Sequence, residues 1–403
     1  MLKSTVRSIW ANTKSFPRDL SLSATFAGLL IVVVSCTGPI AIMLQAARAG
    51  HLTDSQTSSW LAVSWIGGGV FGIFLSLWLR IPIIGAWSTP TVALLVVGLT
   101  THTLPEAVGA YFIASLLIIV VGATGIFDRI LRAVPRPVIM AMLAGILFDF
   151  GIAIFRELPS APIIVVGMLL GYFFARRMKW RAPVITSFVV ALPISIVMHR
   201  LNHQKITLGI VHPVWVNPQF SFGAFITLAL PIVLLTLTSQ YAPGMAVLKS
   251  YGYPEPTNKS IVTGGVISLA SAGFLGSGVN SAAITAAIGA GDHAEPDKNR
   301  RYTAGVVCGL FYIVVGICGS TMLHAFAVLP LAMVVAMGGL GLLPAIASST
   351  SDAFSDPDYR EAAMLSLLVT VSNIHPWGLG APFWGLVAGV AAHQIASWSK
   401  SKN

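Results

Sequence analysis

Charge is what this 403-residue chain has least of: Asp, Glu, Lys and Arg together make up 9% of it, against about 25% in soluble domains. The acidic residues are the scarcer sign, 14 against 24 Lys and Arg. A chain this poor in charge cannot cover a water-facing surface along its length, which excludes a string of soluble domains. Cysteine is also rare. Cys36, Cys308 and Cys318 each lie in an apolar stretch and form no CxxC pair, so neither a disulfide framework nor a cysteine metal site is indicated. No HExxH, GxSxG or Walker sequence occurs, and with them goes the usual chemistry of hydrolases and nucleotide enzymes. The chain reads as no enzyme, with no cofactor and no metal. The net charge of +10 is spread between apolar runs and forms no stripe for nucleic acid.

What the chain has in abundance is hydrophobic sequence: 55% of residues, with mean hydropathy +0.82. A bilayer span needs about 20 mainly apolar residues. Runs of that kind cover 20–47, 58–79, 82–101, 105–126, 137–155, 159–175 and 182–199, then, after a polar stretch near 200–219, 220–248, 259–275, 277–291, 302–323, 328–348, 361–375 and 380–398. The first run is too long for a signal-peptide core and has no clean cleavage site, so it reads as an uncleaved span. With the N-terminus inside and a crossing at each run, only Arg48, Arg156, Arg200 and Lys205 of the 24 basic residues fall outside. That is the asymmetry of a correctly oriented multi-pass protein, and it puts both termini in the cytoplasm. Residues 126–134 (IFDRILRAV) read either as a short interfacial helix or as a plain loop.

The two halves resemble each other. LLIVVVSCTGPIAIMLQ aligns with LPIVLLTLTSQYAPGMAVLK on Pro39 and Pro243, and IGAWSTPTVALLV (84–96) corresponds to LGSGVNSAAITAAIG (275–289). An odd number of spans per half makes the second copy enter from the opposite side, the inverted repeat of many secondary transporters. The expected fold is therefore an all-α polytopic membrane protein of fourteen segments in two inverted sets of seven, with short extended stretches in segments 3 and 10.

Those stretches carry the expected chemistry. Pro90 fits the first turn of a helix, and the residue before a proline prefers extended backbone. Residues 84–88 are thus expected to be extended, with a helix from Thr89; Gly276 and Gly278 allow the same in 276–281, with a helix from Asn280. Irregular backbone at bilayer depth survives only inside protein or beside a water-filled cavity. Two convergent helix N-termini would present free N–H groups to an anion. Ser88, Thr89, Ser277, Gly278, Val279, Asn280 and Ser281 would line the site, and Trp87 would stack on an aromatic ring. Ser35 and Thr37 before Pro39, and Gln240 and Tyr241 before Pro243, supply the facing polar groups. The plainer reading of the same residues is tight packing of small side chains and interhelical hydrogen bonding.

The stretches SQYAPGMAVL and GSGVNSAAITAAIGAGDHAEPDKNRRY resemble the benzoate–proton symporter family (BenE type), itself similar in architecture to uracil permeases and sulfate transporters. The chain departs from the family pattern at Gln240-Tyr241-Ala242-Pro243-Gly244, where members commonly carry Asn, and at Gly276-Ser277-Gly278. The resemblance implies a core domain from 20–135 and 220–323, and a gate domain from 136–200 and 324–398 that often makes a homodimer contact. A cytoplasmic segment (1–19), an external loop (201–219) and a cytoplasmic tail (399–403) complete the layout. It implies an aromatic carboxylate and a proton as cargo, carried across the bacterial inner membrane by motion of core against gate. The alternatives are a nucleobase or inorganic anion on the same fold, or a passive channel. Asp149, the acidic residue well inside a run, is the candidate proton carrier; substrate-borne protonation, or a water chain at Gln240, is the other route. Asp292 and His293 follow segment 10 on the inside and are placed to gate release.

Overall fold

The structure is a computed structural model in which residues 2–35, 38–129, 135–180, 182–202, 209–282 and 285–400 are described. Helices make up nearly all of it. They are α1 (Leu2–Asp19), α2 (Leu22–Ser35), α3 (Gly38–Ala49), α4 (Asp54–Leu79), α5 (Thr89–Thr101), α6 (Leu104–Thr124), α7 (Arg136–Arg156), α8 (Pro162–Arg177) and α9 (Pro183–Val197) in the first half. The second half has α10 (Phe222–Ser250), α11 (Thr257–Ser271), α12 (Ala286–Ala290), α13 (Tyr302–Ile317), α14 (Gly319–Ala327), α15 (Leu331–Ala353), α16 (Arg360–Val371) and α17 (Ala381–Lys400). Two three-residue strands, β1 (Gly85–Trp87) and β2 (Val279–Ser281), complete the set.

Among the described residues, six helical stretches are individually long and apolar enough to span a bilayer, and the bent pair α13–α14 makes a seventh. On these and on the shorter helices α8 and α16, Leu116, Leu170, Phe173, Val314 and Leu368 are exposed, an apolar surface suited to lipid rather than water. Some predicted runs coincide with these stretches and others are interrupted or short. The first run, 20–47, corresponds to the stretch Leu22–Ala49, described as α2 and α3 on either side of residues 36–37; Thr37 lies outside the described residues. The run 302–323 bends by 67° between α13 and α14. In the run 277–291 the helix starts at Ala286 and not at Asn280, because Val279–Ser281 is held as a strand. Of the segment 126–134, residues 127–129 are helical and 130–134 lie outside the described residues. The N-terminal segment, expected only as a cytoplasmic lead, is the helix α1.

Local sequence sets these boundaries. Thr53–Gln56 and Thr103–Glu106 form capping boxes at the starts of α4 and α6, satisfying amides that a helix start leaves free. Gly125 closes α6 in the left-handed conformation, φ 69°, where glycine has no Cβ to clash. In α10, π-helical turns at Phe225–Ala229 and Leu237–Tyr241 stand just before Pro231 and Pro243. A proline lacks the N–H and crowds the carbonyl four residues back, and a wider turn relieves both.

The helices pack in pairs: α4 on α13, α6 on α11, α7 on α15, α8 on α9 and α16 on α17. α3 lies against both α5 and α15. The glycines of α4 make its contacts close. A Cβ on Gly69 would lie 2.5 Å from the Gly309 carbonyl of α13, and one on Gly67 would lie 2.8 Å from Val279. Small residues let backbones approach in this way inside a bilayer.

Candidate functional site

β1 and β2 pair antiparallel, with Gly85 opposite Ser281, Ala86 opposite Asn280 and Trp87 opposite Val279. The two interruptions therefore meet. β1 lies directly on α4: a Cβ on Gly85 would sit 2.0 Å from the Gly68 carbonyl, so glycine is required by approach alone.

Non-helical backbone at this depth must find its hydrogen bonds in protein, and much of the polar sequence here supplies them. Ser268 Oγ accepts from the Val279 N–H at 2.7 Å. The Tyr241 hydroxyl, fully buried, lies 3.3 Å from the carbonyls of both Ser260 and Val279. In the amide orientation that pairs both ends of Asn280, its oxygen accepts from the Ser88 N–H at 3.1 Å and its nitrogen donates to the Ser281 carbonyl at 3.2 Å. Ser88 Oγ caps α5, accepting from Thr91 N–H at 3.3 Å and from the Thr91 hydroxyl at 2.8 Å. Ser277 Oγ accepts from Trp60 Nε1 at 3.2 Å. Beyond the strands, the Ala282 N–H donates to the Ile84 carbonyl at 2.9 Å. Five of the predicted site residues thus first serve to hold the strand pair: Ser88, Tyr241, Ser277, Val279 and Asn280.

Three of the others keep free groups. Thr89 and Gln240 are half-buried, and their side chains make no hydrogen bond among the described residues; the same holds for Ser281 Oγ. Pro90 has no N–H, so Thr89 N–H is the donor of α5's first turn left without a partner among the described residues. Gly278 adopts φ +124° and faces open space where a Cβ would be. The π turn that carries Gln240 packs against β2, and π turns recur at functional positions.

An aromatic cluster missed by sequence reasoning adjoins the strands. Trp65 meets Trp87 edge-on at 4.4 Å and Tyr312 at 4.8 Å between ring centroids. Tyr312 Oη lies 2.8 Å from Ser35 Oγ, which links the end of α2 to the same group. Trp87 is therefore packed against protein rings, while its Nε1 is buried without a partner among the described residues. Only the pattern of aromatics on α4 and α13 hinted at this, and aromatics at helical spacing usually mean core.

The expectation of two convergent helix N-termini is corrected. α5, with thirteen residues, has a first turn next to the strands. α12 has five residues, too few aligned peptide dipoles for a comparable field. Its far end is capped by the buried Arg301, whose Nη1 donates to the Ala290 carbonyl at 2.9 Å and whose Nη2 donates to Asp292. Asp292 and the exposed His293 are thus at the opposite end of α12 from β2. Asp149 is not brought to the strands either. Its carboxylate is 67% exposed on α7 and pairs with Arg156 at 2.9 Å. A cavity of about 180 Å³ opens elsewhere, where Arg48 and Asp54 face His324 at the ends of α3, α4 and α14; the strand pair itself is closed, with Ser88 and Asn280 fully buried.

Comparison with known proteins decides the class. Residues 18–395 match the family model described as benzoate membrane transport protein. The chain belongs to that family. It is 38% identical over 382 residues to the benzoate membrane transport protein of Acinetobacter baylyi, covering 95% of this transporter and 97% of that protein. It is 36% identical over 377 residues to the inner membrane protein YdcO of Escherichia coli, covering 94% and 96%. In fold the transporter is similar to the transmembrane domain of the cyanobacterial bicarbonate transporter BicA, with TM-score 0.58 and 15% identity over 93% of this chain and 96% of that one. It is also similar to the murine anion transporter Slc26a9 in its inward-facing state, with TM-score 0.63 and 15% identity over 97% of this chain and 71% of that one. The protein is a multi-pass membrane transporter of a bacterial family, and no enzyme.

Proposed function

We propose that this transporter takes up benzoate or a related aromatic carboxylate together with a proton across the bacterial inner membrane, with both termini in the cytoplasm. The observation that carries the reading is the antiparallel meeting of β1 and β2 beside the first turn of α5. Among the described residues, that arrangement leaves the Thr89 N–H, the Thr89 and Ser281 hydroxyls and the Gln240 amide without protein partners, next to an aromatic cluster. Neutral donors and a helix N-terminus suit a carboxylate, and Trp65, Trp87 and Tyr312 offer apolar and edge contacts to a ring. The name of the Acinetobacter relative supports benzoate as the cargo.

The fourteen-segment inverted repeat is part of the same proposal. Its support is the pairing of β1 with β2 and the matched packing of α4 on α13 with α11 on α6, and of α8 on α9 with α16 on α17. On this reading α2–α6 and α10–α14 are the core domain, and α7–α9 with α15–α17 are the gate and a homodimer contact. The core slides against the gate along α3 and α15, where the amide of Gln45 lies against Gly338.

The test is uptake of radiolabelled benzoate into proteoliposomes under an inward proton gradient. Accumulation above equilibrium that collapses with a protonophore supports symport. A second reading, an inorganic anion as cargo, is favoured by the likeness of fold to an anion transporter and a bicarbonate transporter; bicarbonate or sulfate uptake in place of benzoate would establish it.

A further inference from the structure

The helix α1 has no role in the proposed transport site, and its surface is sharply divided. One side faces the protein and carries its polar latch. Arg80, which ends α4 in the left-handed conformation at φ 56°, donates from Nη2 to Asp19 at 2.8 Å and from Nη1 to Asn12 Oδ1 at 3.2 Å. Tyr302, at the start of α13, donates to the same Asp19 carboxylate at 2.8 Å. Asn12 Nδ2 donates to the Leu77 carbonyl of α4 at 2.7 Å. Asp19, the acidic residue of α1, is thereby turned inward and neutralised.

The other side is exposed. At 3.6 residues per turn, Val6, Trp10 and Pro17 form an apolar stripe, and Arg7, Lys14 and Arg18 a basic stripe beside it. Val6 is 60% and Trp10 61% exposed; Lys14 Nζ stands 3.4 Å from the centroid of the Trp10 ring. No carboxylate pairs with these three cations among the described residues. The chain passes from Asp19 straight into α2, whose first turns expose Leu22 (73%) and Phe26 (62%). Those side chains belong to a lipid-facing wall, so α1 lies at the level where α2 enters the bilayer.

We propose that α1 is an interfacial helix that binds anionic lipid headgroups through Arg7, Lys14 and Arg18 and sets Val6 and Trp10 into the acyl boundary. The charge decides the occupant: three unpaired cations beside an exposed tryptophan match an anionic membrane surface. The latch through Arg80 and Tyr302 ties that contact to the ends of α4 and α13, the helices that carry the aromatic cluster.

The test uses the full chain with its three cysteines replaced by serine and a nitroxide at Thr13→Cys, reconstituted in vesicles of phosphatidylcholine alone or with about a third phosphatidylglycerol. The expected result is an oxygen-accessible, nickel-shielded label that moves deeper when phosphatidylglycerol is present. The Arg7→Gln/Lys14→Gln/Arg18→Gln variant should lose that response. In native mass spectrometry, phosphatidylglycerol retention should weaken roughly fivefold for each cation removed. A label in water in both vesicle types, or burial and lipid retention unchanged in the triple variant, would overturn the proposal. Neither readout depends on what the protein transports.

Discussion

Ser268→Ala isolates the physical claim behind the site, that a strand at bilayer depth is held by a few side-chain hydrogen bonds from α11. Ser268 Oγ accepts from the Val279 N–H at 2.7 Å and donates to the Gly264 carbonyl one turn back. The second bond is an ordinary helix back-bond with little net value. The first is the partner that the buried Val279 N–H has. Removing it leaves a donor with no water to turn to, at a cost of about 1–3 kcal/mol. The volume lost is one oxygen, so the cavity contribution is small. Taking about 1–2 kcal/mol, the equilibrium between docked and released β2 shifts by roughly 5–30-fold. The expected result is a melting temperature lower by a few degrees for the detergent-solubilised protein, together with reduced uptake. Ser268→Thr, which keeps the hydroxyl, should recover part of both. If Ser268→Ala melts and transports like the parent chain, the Val279 N–H has another partner and the account of how β2 is held is wrong.

Gly85→Ala should abolish transport and lower thermal stability: the new Cβ would lie 2.0 Å from a backbone carbonyl of α4, which cannot rotate away, and overpacking of this kind costs about 1–3 kcal/mol or more. Asn280→Ala and Gln240→Ala should separate scaffold from cargo contact. Asn280 holds the Ser88 N–H, so its loss lowers both melting temperature and uptake, whereas the Gln240 side chain makes no hydrogen bond among the described residues and its loss should lower uptake alone; equal stability losses would contradict the assignment. Burial holds the His102 imidazole below its ordinary value of 6.5, with the Glu106 carboxylate pulling the other way. The folded chain therefore prefers the neutral ring, and stability should fall as pH drops through about 6.5. His102→Gln should remove that part of the pH dependence in thermal melts between pH 7 and 5; an unchanged profile would assign it to other groups.

What the sequence made legible here was local. The extended stretch before Thr89 was readable because proline acts on its own neighbours, and Ser88 and Pro90 form a complete helix start within three residues. Gly276 and Gly278 mark the second interruption in the same way, but the helix after it starts at Ala286 and not at Asn280. No proline marks that start, and what keeps Val279–Ser281 extended is distant in sequence: β1, Tyr241 and Ser268. The same distance hid the aromatic cluster. Trp65 and Tyr312 stand on different helices, and only the packing of α4 on α13 joins them. The glycines of α4 were visible as IGGGVFG, yet nothing in that string says that a strand lies across it. Polar residues at the breaks were read as ligands for cargo, whereas unpaired backbone at bilayer depth claims most of them first.

The charge of the site bears on how a proton is coupled. Among the described residues, the strand pair, the first turn of α5, the π turn at Leu237–Tyr241 and the aromatic cluster hold no carboxylate, imidazole, ammonium or guanidinium group. Empty, such a site is neutral and can cross the membrane field at little cost. Loaded with a carboxylate alone it carries a full negative charge into a low-dielectric region, where an unpaired ion is costly. Loaded with carboxylate and proton it is neutral again. Under the proposed function the proton therefore travels with the cargo's own carboxyl group, and Asp149, exposed and paired with Arg156, is not needed to carry it. Two outcomes are expected. Asp149→Asn should keep proton-driven benzoate uptake within about twofold, which is less than the tenfold that 1.4 kcal/mol would produce. Uptake into potassium-loaded proteoliposomes at a fixed pH gradient should not change when valinomycin imposes a membrane potential. If the potential drives uptake, or if Asp149→Asn uncouples benzoate from the proton gradient, net charge moves with the cargo and a residue of the protein carries the proton.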